Sequence, residues 1–236
     1  MIDNILVLPI AGRAERILAL PKFLLPINEK ETLLASHINA ALQAGFDRVL
    51  VIAREDHRSL LSEQLRGEEA IDISYIEQET KTMCETLLVG IQNQNIDGRI
   101  TIALSDSAVL ADSMVEIYSR IIMSEGNSLT LFRPRSDQIG KLGQVEIDTD
   151  GKVINMIDKD ESSQLPWVWG LSTFKKEFFD EVDAKDAHIG ISAQKWVMRG
   201  VDFRGLTSTG IYFDCGTFSE YARYLTNRHT LKENSF

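Results

Sequence analysis

An unbroken apolar stretch near the start of the chain, ILVLPIAG at residues 5–12, decides the fold. Residues 5–10 form a continuous apolar run, which is typical of a strand buried on both faces of a parallel sheet. Ala11-Gly12 then interrupts the run. We therefore expect a buried strand that ends in a loop.

Short strands and helices alternate from this first strand to about residue 132. Thr32 is expected to cap the first helix and Gly45 to end it. We predict further strands at residues 48–53, 71–76, 100–104 and 128–132, and further helices near 57–65, 82–92 and 112–124. This order favours a parallel sheet covered by helices, with ligands at the carboxyl ends of the strands.

The pattern changes from about Gly143. Two short runs flank Thr149-Asp150-Gly151, which favours an antiparallel hairpin of residues 144–147 and 153–157. We then predict a strand at 167–172, a helix from about 175, a helix near 192–199, a strand at 211–213 and a last helix from about 217. No linker or repeat separates these elements, so a single domain over residues 1–236 is expected.

Composition excludes several classes of protein. With 236 residues and 44% hydrophobic residues the chain can bury a core, but no apolar run approaches the roughly 20 residues of a membrane span. The formal charge of −10 argues against nucleic acid, and the N-terminus lacks a signal peptide, so a cytoplasmic protein is expected. Cys84 and Cys215 suggest neither a disulfide nor a zinc site.

Charged residues cluster after the first strand. The segment runs from Pro9 through Ala11 and Gly12 to Pro21-Lys22, and its cations are Arg13, Arg16 and Lys22. A tight loop at the end of a strand exposes backbone N–H groups to a phosphate, which arginine and lysine side chains also bind. On the residues alone, an anion site and an ordinary solvated loop are equally open.

Two acidic residues stand after apolar runs. Asp106 follows residues 100–104 and Ser105, and Asp214 follows residues 211–213. Such carboxylates can hold Mg²⁺, which uses few protein oxygens and leaves positions for water and phosphates. Asp106 could instead cap a helix or be an ordinary loop acid. The pair predicts a metal site if the two side chains converge.

The order of these motifs resembles that of the sugar-phosphate nucleotidyltransferases, the family of glucose-1-phosphate thymidylyltransferase, over essentially the whole chain. The family pattern L-A-A/G-G-x-G-T-R, followed by P-K-x-L, is similar to residues 9–16 and 21–24. Gly12, Arg16 and Lys22 match. Ala14 and Glu15 depart from the pattern: alanine tolerates a positive φ less well than glycine, and Glu15 adds a negative charge beside a triphosphate.

The resemblance continues through a nucleotide-binding half, about residues 1–135. Gln78 matches a glutamine that reads the base, and its amide favours a pyrimidine. Ser105-Asp106 is similar to the family's G-D, whose aspartate binds the metal. The resemblance implies a nucleotide site of Pro9, Ala11, Gly12, Arg13, Gln78, Thr82, Ser105 and Asp106.

The remaining motifs fall in an acceptor-binding half, about residues 136–236. Residues 143–146 resemble the family's G-V-V-E, and Asp158-Lys159 resembles E-K, with the acid on an acceptor hydroxyl and the lysine on its phosphate. Residues 214–217 resemble D-x-G-T, whose aspartate is the second metal ligand. The resemblance implies an acceptor site of Gly143, Asp158, Lys159, Trp169 and Gly170, with Mg²⁺ held by Asp106 and Asp214.

The implied fold is a single Rossmann-like, GT-A-like α/β domain with a mixed, mainly parallel central sheet flanked by helices, in a short member without a C-terminal β-helix. The implied reaction transfers a nucleotidyl group from a nucleoside triphosphate to a sugar 1-phosphate with release of pyrophosphate. Arg16, Lys22 and Lys159 would be its catalytic cations. Since family members commonly self-associate, a homo-oligomer is also implied.

Two alternatives stay open. The first is cytidylyl transfer to a non-sugar phosphate, such as a phosphocholine-like or phospho-amino compound. The second is a regulatory nucleotide-binding homologue with little catalysis, which Ala14 and Glu15 would favour. A Rossmann dehydrogenase fits poorly because Gly12 lacks the companions of G-x-G-x-x-G. No hydrolase motif is present, and the four histidines, His37, His57, His188 and His229, follow no pattern and are expected to be structural or exposed.

Overall fold

A mixed sheet forms the centre of the fold in the computed structural model, which describes residues 3–12, 21–65, 70–92 and 94–233. The strands of the main sheet are β1 (Asp3–Pro9), β2 (Arg48–Arg54), β3 (Ile71–Ile76), β4 (Gly98–Ala103), β6 (Asn127–Phe132), β7 (Gln144–Ile147), β8 (Val153–Ile157), β9 (Trp167–Lys175) and β10 (Phe203–Thr207). Two further strands, β5 (Ser107–Leu110) and β11 (Ile211–Asp214), form a separate ribbon. The helices are α1 (Leu33–Ala44), α2 (Arg58–Gln64), α3 (Met83–Gln92), α4 (Met114–Met123), α5 (Ile189–Met198) and α6 (Phe218–Glu233).

The main sheet has the order β10-β6-β9-β4-β1-β2-β3. Strands β3, β2, β1 and β4 are parallel, and β9 is antiparallel to both β4 and β6. It follows that β6, and β10 parallel to it, run in the same direction as β1. The expected mixed, mainly parallel sheet is confirmed, and the hairpin of β7 and β8 extends it beside β9.

The apolar run of β1 explains why this strand lies in the middle of the sheet. Ile5, Leu6, Val7 and Leu8 are all fully buried. Ile5 and Val7 belong to one core cluster with residues of α3 and α5, and Leu6 and Leu8 to another with residues of α1 and α4. Alternate side chains of a strand point to opposite faces, so a continuous apolar run fits a sheet covered by helices on both sides.

The first helix begins and ends as its sequence predicts. The Thr32 hydroxyl accepts a hydrogen bond from the N–H of Ala35 at 3.2 Å. Gly45 follows the helix with φ of +97°, in the left-handed region that glycine enters readily. Its N–H donates to Ala41 O at 3.1 Å.

Several predicted elements differ from the structure. The expected helix from about residue 175 is a short 3₁₀ segment, Lys176–Asp180, because β9 extends to Lys175. The helix predicted near 192–199 begins earlier, at Ile189. Strands β5 and β10 were not predicted, since they have only four and five residues and no clear alternation.

In the described part of the chain, no helix has the length and apolar character needed to cross a membrane. Cys84 and Cys215 are buried free cysteines.

Candidate active site

A two-stranded antiparallel ribbon brings the two predicted metal-binding acids together. Strands β5 and β11 form this ribbon, in which Asp214 pairs with Ser107. The N–H of Cys215 donates to the main-chain oxygen of Asp106 at 2.7 Å. The acids, far apart in sequence, are therefore neighbours in the fold.

Lys22 joins this pair of carboxylates. Its Nζ lies 3.1 Å from Asp106 Oδ2, with the two side chains 23% and 19% exposed. Gly216 leaves space among the three groups: an added Cβ would lie 2.8 Å from Asp214 Oδ1, 3.4 Å from Lys22 Nζ and 3.5 Å from Asp106 Oδ2. The lysine, both acids and this glycine therefore form one charged centre.

Burial and the nearby charge of Asp106 raise the pKa of Asp214. The N–H of Gly216, which donates to Asp214 Oδ1 at 3.0 Å, and the ammonium groups of Lys22 and Lys159 act in the opposite direction. Two close carboxylates favour a cation because it relieves their mutual repulsion. The electrostatics therefore favour a positive ligand between the acids.

The donor set suits Mg²⁺. Within the described ranges, no group of three or more His, Cys, Asp or Glu side chains could hold a metal ion. A cage made entirely of protein ligands is thus not formed there. Mg²⁺ is commonly bound by one or two carboxylates, with water and substrate phosphates completing its octahedral shell. Asp106 and Asp214 fit that use.

A cleft of about 510 Å³ opens beside Asp106 at the carboxyl ends of β1, β3 and β4. Several residues predicted to bind the nucleotide line it, namely Pro9, Ala11, Gly12, Gln78, Thr82 and Asp106. Ser105 is buried and lines neither this cleft nor the acceptor pocket described below. Arg13 and Arg16 lie outside the described residues. We call this space the nucleotide cleft.

A smaller and more enclosed cavity, of about 110 Å³, adjoins the nucleotide cleft, since Met83 and Leu104 line both. All five residues predicted to bind the acceptor line it with Asp214; these are Gly143, Asp158, Lys159, Trp169 and Gly170. We call it the acceptor pocket. The two cavities therefore adjoin, with Asp106 lining one and Asp214 the other.

Two glycines allow Trp169 to pack closely in the acceptor pocket. A Cβ added at Gly143 would lie 2.1 Å from Trp169 Nε1, and one added at Gly190 would lie 2.8 Å from Trp169 Cζ2. The N–H of Trp169 also donates to the main-chain oxygen of Gly143 at 3.1 Å. The indole is thus held against the backbone and forms one wall of the pocket.

Lys159 has a left-handed backbone, with φ of +52°. Consecutive residues of an extended strand point to opposite faces, yet Asp158 and Lys159 both line the acceptor pocket just after β8. The positive φ turns the chain between them. A non-glycine residue in this region is strained, and such strain is common at functional sites.

Sequence reasoning missed two residues of the site. His188 lines the acceptor pocket, with Nδ1 2.9 Å from Asp158 Oδ2. Arg54, at the end of β2, lines the nucleotide cleft and is paired with Asp56 at 2.6 Å. Neither belongs to a motif, although the position of Arg54 at a strand's carboxyl end was a signal. His37 is a structural histidine, bonded to Tyr118 at 2.7 Å and to Ser107 O at 2.9 Å.

Solved structures share this fold. A UDP-glucose pyrophosphorylase complexed with UDP-glucose aligns with a TM-score of 0.77 at 18% identity, covering 98% of this chain and 99% of that chain. A proposed glucose-1-phosphate thymidylyltransferase from Bacillus anthracis, in complex with sucrose, gives a TM-score of 0.79 at 15% identity, over 94% of each chain. At these identities the likeness shows the fold alone.

No curated protein matches the sequence significantly. The family model described as nucleotidyl transferase matches residues 17–230, which is most of the chain. The expected family resemblance is confirmed by this match. The chain belongs to the nucleotidyl transferase family.

Proposed function

We propose that this chain transfers a nucleoside monophosphate from a pyrimidine nucleoside triphosphate to a sugar 1-phosphate, giving a nucleoside diphosphate sugar and pyrophosphate. The observation that carries the proposal is that the nucleotide cleft, lined by Asp106, adjoins the acceptor pocket, lined by Asp214, with Lys22 paired to Asp106. The likeness in fold to a UDP-glucose pyrophosphorylase supports a sugar phosphate as acceptor.

In this reaction an acceptor phosphate oxygen attacks the α-phosphorus, and the bond from that phosphorus to the bridging oxygen of pyrophosphate breaks. The chain's task is alignment and charge neutralisation. Lys22 would bind the α-phosphate and Lys159 the acceptor phosphate, while Arg16 would bind the departing pyrophosphate. A phosphate nucleophile is already ionised, so no side chain has to remove a proton.

Asp106 and Asp214 would hold Mg²⁺, which would neutralise phosphate charge and orient the triphosphate when bound. Gly216 keeps the space between the two carboxylates free of a Cβ. The negative charge of Asp106 close to Asp214 would favour a cation in this space. Dependence of the enzyme on Mg²⁺ is part of the proposal.

Gln78 is assigned to the base. Its exposed side chain lines the nucleotide cleft after the end of β3. An amide offers both a donor and an acceptor to the edge of a pyrimidine. Residues 1–135 would bind the nucleotide and residues 136–236 the acceptor. A cytoplasmic location, a homo-oligomeric state and the absence of nucleic acid among the partners stay predictions.

Pyrophosphate release tests the proposal across the four nucleoside triphosphates and a panel of sugar 1-phosphates and other phosphomonoesters. We expect release with a pyrimidine triphosphate and a sugar 1-phosphate in the presence of Mg²⁺. Asp106→Asn should lower turnover at least about a hundredfold. Nucleotide binding without pyrophosphate release on any acceptor would instead indicate a regulatory homologue.

A second candidate is cytidylyl transfer to a compact non-sugar phosphate, such as a phosphocholine-like or phospho-amino compound. The small acceptor pocket, narrowed by Trp169, favours it, as does the Asp158 carboxylate, which is only 4% exposed. A buried acid beside an aromatic ring suits a cationic group. Turnover restricted to CTP and such acceptors would establish this candidate and exclude sugar phosphates.

A further inference from the structure

His188 lies in the acceptor pocket next to the residues assigned to the acceptor. Its side chain is 30% exposed, and it directly precedes α5. It makes no side-chain hydrogen bond that caps this helix. The imidazole therefore does not cap the N-terminus of α5, and it lines the acceptor pocket.

The imidazole approaches one oxygen of Asp158. Nδ1 lies 2.9 Å from Asp158 Oδ2, at ion-pair distance, without the in-line angle of a hydrogen bond. A carboxylate as buried as this one needs a charged or donor group beside it. His188 supplies such a group on the Oδ2 side.

Two glycines allow the other oxygen of Asp158 to pack closely against the backbone. A Cβ added at Gly190 would lie 2.6 Å from Oδ1, and one added at Gly143 would lie 3.0 Å from it. Glycine at both positions removes atoms that would crowd Oδ1. The carboxylate thus lies at the wall of the acceptor pocket, with His188 beside Oδ2 and the two glycines beside Oδ1.

The backbone that carries His188 is fixed on both sides. Thr82 Oγ1 donates to Ala184 O at 2.5 Å, and the N–H of Met83, at the start of α3, donates to Ala187 O at 3.1 Å. Asp186 accepts a hydrogen bond from Lys195 of α5 at 2.7 Å. Residues 183–188 are therefore anchored between α3 and α5, and an anchored support is what orients a neighbouring functional group.

We propose that His188 is a positioning residue for the acceptor: it holds Asp158 Oδ2 so that Oδ1 points to a hydroxyl or amino group of the bound phosphomonoester. This inference rests on the proposed function, in which Asp158 binds the acceptor. His188 acts through Asp158 and takes no part in the transfer itself. Its removal should weaken acceptor binding more than nucleotide binding.

Kinetics of three variants test the proposal. His188→Ala should raise the KM for the acceptor about tenfold, with the KM for the triphosphate and kcat within about threefold of the wild type. His188→Asn should restore part of the loss, because its amide N–H group can lie beside Asp158 Oδ2 in place of the imidazole. His229→Ala, at an exposed position on α6, is the matched control and should change nothing. Equal changes in both KM values and kcat would overturn the proposal.

A second measurement does not depend on turnover. Diethyl pyrocarbonate acylates imidazole nitrogens, and mass spectrometry reports its rate at each histidine. Asp158→Asn should accelerate modification of His188 severalfold while that of His229 stays constant. An unchanged rate at His188 would overturn the proposal even if the enzyme is active. If the wild type turns over no acceptor, the proposed function fails, and this rate alone decides whether His188 and Asp158 act as a pair.

Discussion

Lys22 Nζ lies 3.1 Å from Asp106 Oδ2, and the same ammonium lowers the pKa of Asp214 against burial and the charge of Asp106. The Lys22 ammonium therefore interacts favourably with both acids, which the ribbon of β5 and β11 brings together. The lysine comes from the short 3₁₀ segment Lys22–Leu24, which the Pro21 carbonyl closes by accepting from the N–H of Leu24 at 2.9 Å.

Lys22→Met is expected to lower turnover about a hundredfold or more, because the α-phosphate loses a preorganised cation. It should also raise the pKa of Asp214 further, since burial and Asp106 would meet less opposition. Steady-state pyrophosphate release measures the first effect. Lys30→Met, at an exposed position, is the control for loss of a lysine. Turnover of Lys22→Met within threefold of the wild type would exclude Lys22 from the site.

Asp137 connects the 3₁₀ segment Ser136–Gln138 to α6. Burial raises its pKa, but hydrogen bonds from Arg135 and Arg223 outweigh burial and lower the pKa from 3.8 to about 2. Arg135 also donates to Tyr212 O at 2.9 Å, in the strand that carries Asp214. An acid whose pKa is lowered in the folded state stabilises the fold fully at pH values above its unfolded pKa. This contribution is lost as the pH falls through the folded pKa of about 2.

Asp137→Asn should therefore reduce the free energy of unfolding at pH 7 by about 0.5–1 kcal/mol, a modest value because the carboxylate is partly exposed to solvent. The difference from the wild type should persist at pH 5 and shrink between pH 4 and pH 2. Urea unfolding at a series of pH values measures it. A difference that is constant down to pH 2 would show that the ion pairs are not its source.

Gly143 determines how closely Trp169 can approach the acceptor pocket. Gly143→Ala would place a Cβ 2.1 Å from Trp169 Nε1, so the indole must move. The KM for the acceptor is expected to rise at least about tenfold while that for the triphosphate changes little. Trp169→Phe in the same chain removes the clashing nitrogen and should recover part of the loss. If the double variant is no better than Gly143→Ala alone, the clash with Trp169 is not the cause.

The central strand and its loop could be predicted because burial on both faces leaves a continuous apolar run at residues 5–10. The convergence of Asp106 and Asp214 could not be derived from local pattern. It depends on β5 and β11, two four-residue strands whose pairing is set by long-range packing. The residues alone predicted a shared metal only on the condition that the two acids converge, and the family resemblance supplied that condition.

The position of β9 in the sheet could not be predicted from local sequence either. Its sequence predicts a strand, but no local sequence pattern indicates that this strand lies between β4 and β6 and runs antiparallel to both. His188 was missed for a related reason: a single histidine carries no spacing signal. Its contact with Asp158 exists because residues 183–188 are anchored to α3, which is distant in sequence.

Lys159 and Ala111 are non-glycine residues with positive φ, +52° and +62°. The left-handed region costs such residues roughly 1–2 kcal/mol, and glycine relieves this cost while losing more chain entropy on folding. Each substitution to glycine should therefore stabilise the protein by about 1 kcal/mol. Thermal or urea unfolding measures this gain.

The two substitutions separate strain from function. Lys159→Gly removes the ammonium assigned to the acceptor phosphate, so the stabilised variant should lose turnover about a hundredfold. Ala111 is exposed and lines neither the nucleotide cleft nor the acceptor pocket, so Ala111→Gly should gain stability with unchanged kinetics. A stabilised Lys159→Gly with full activity would mean that the left-handed turn does not serve to present this lysine. Loss of activity in both variants would instead trace the effect to the backbone, because Ala111 has no charge to lose.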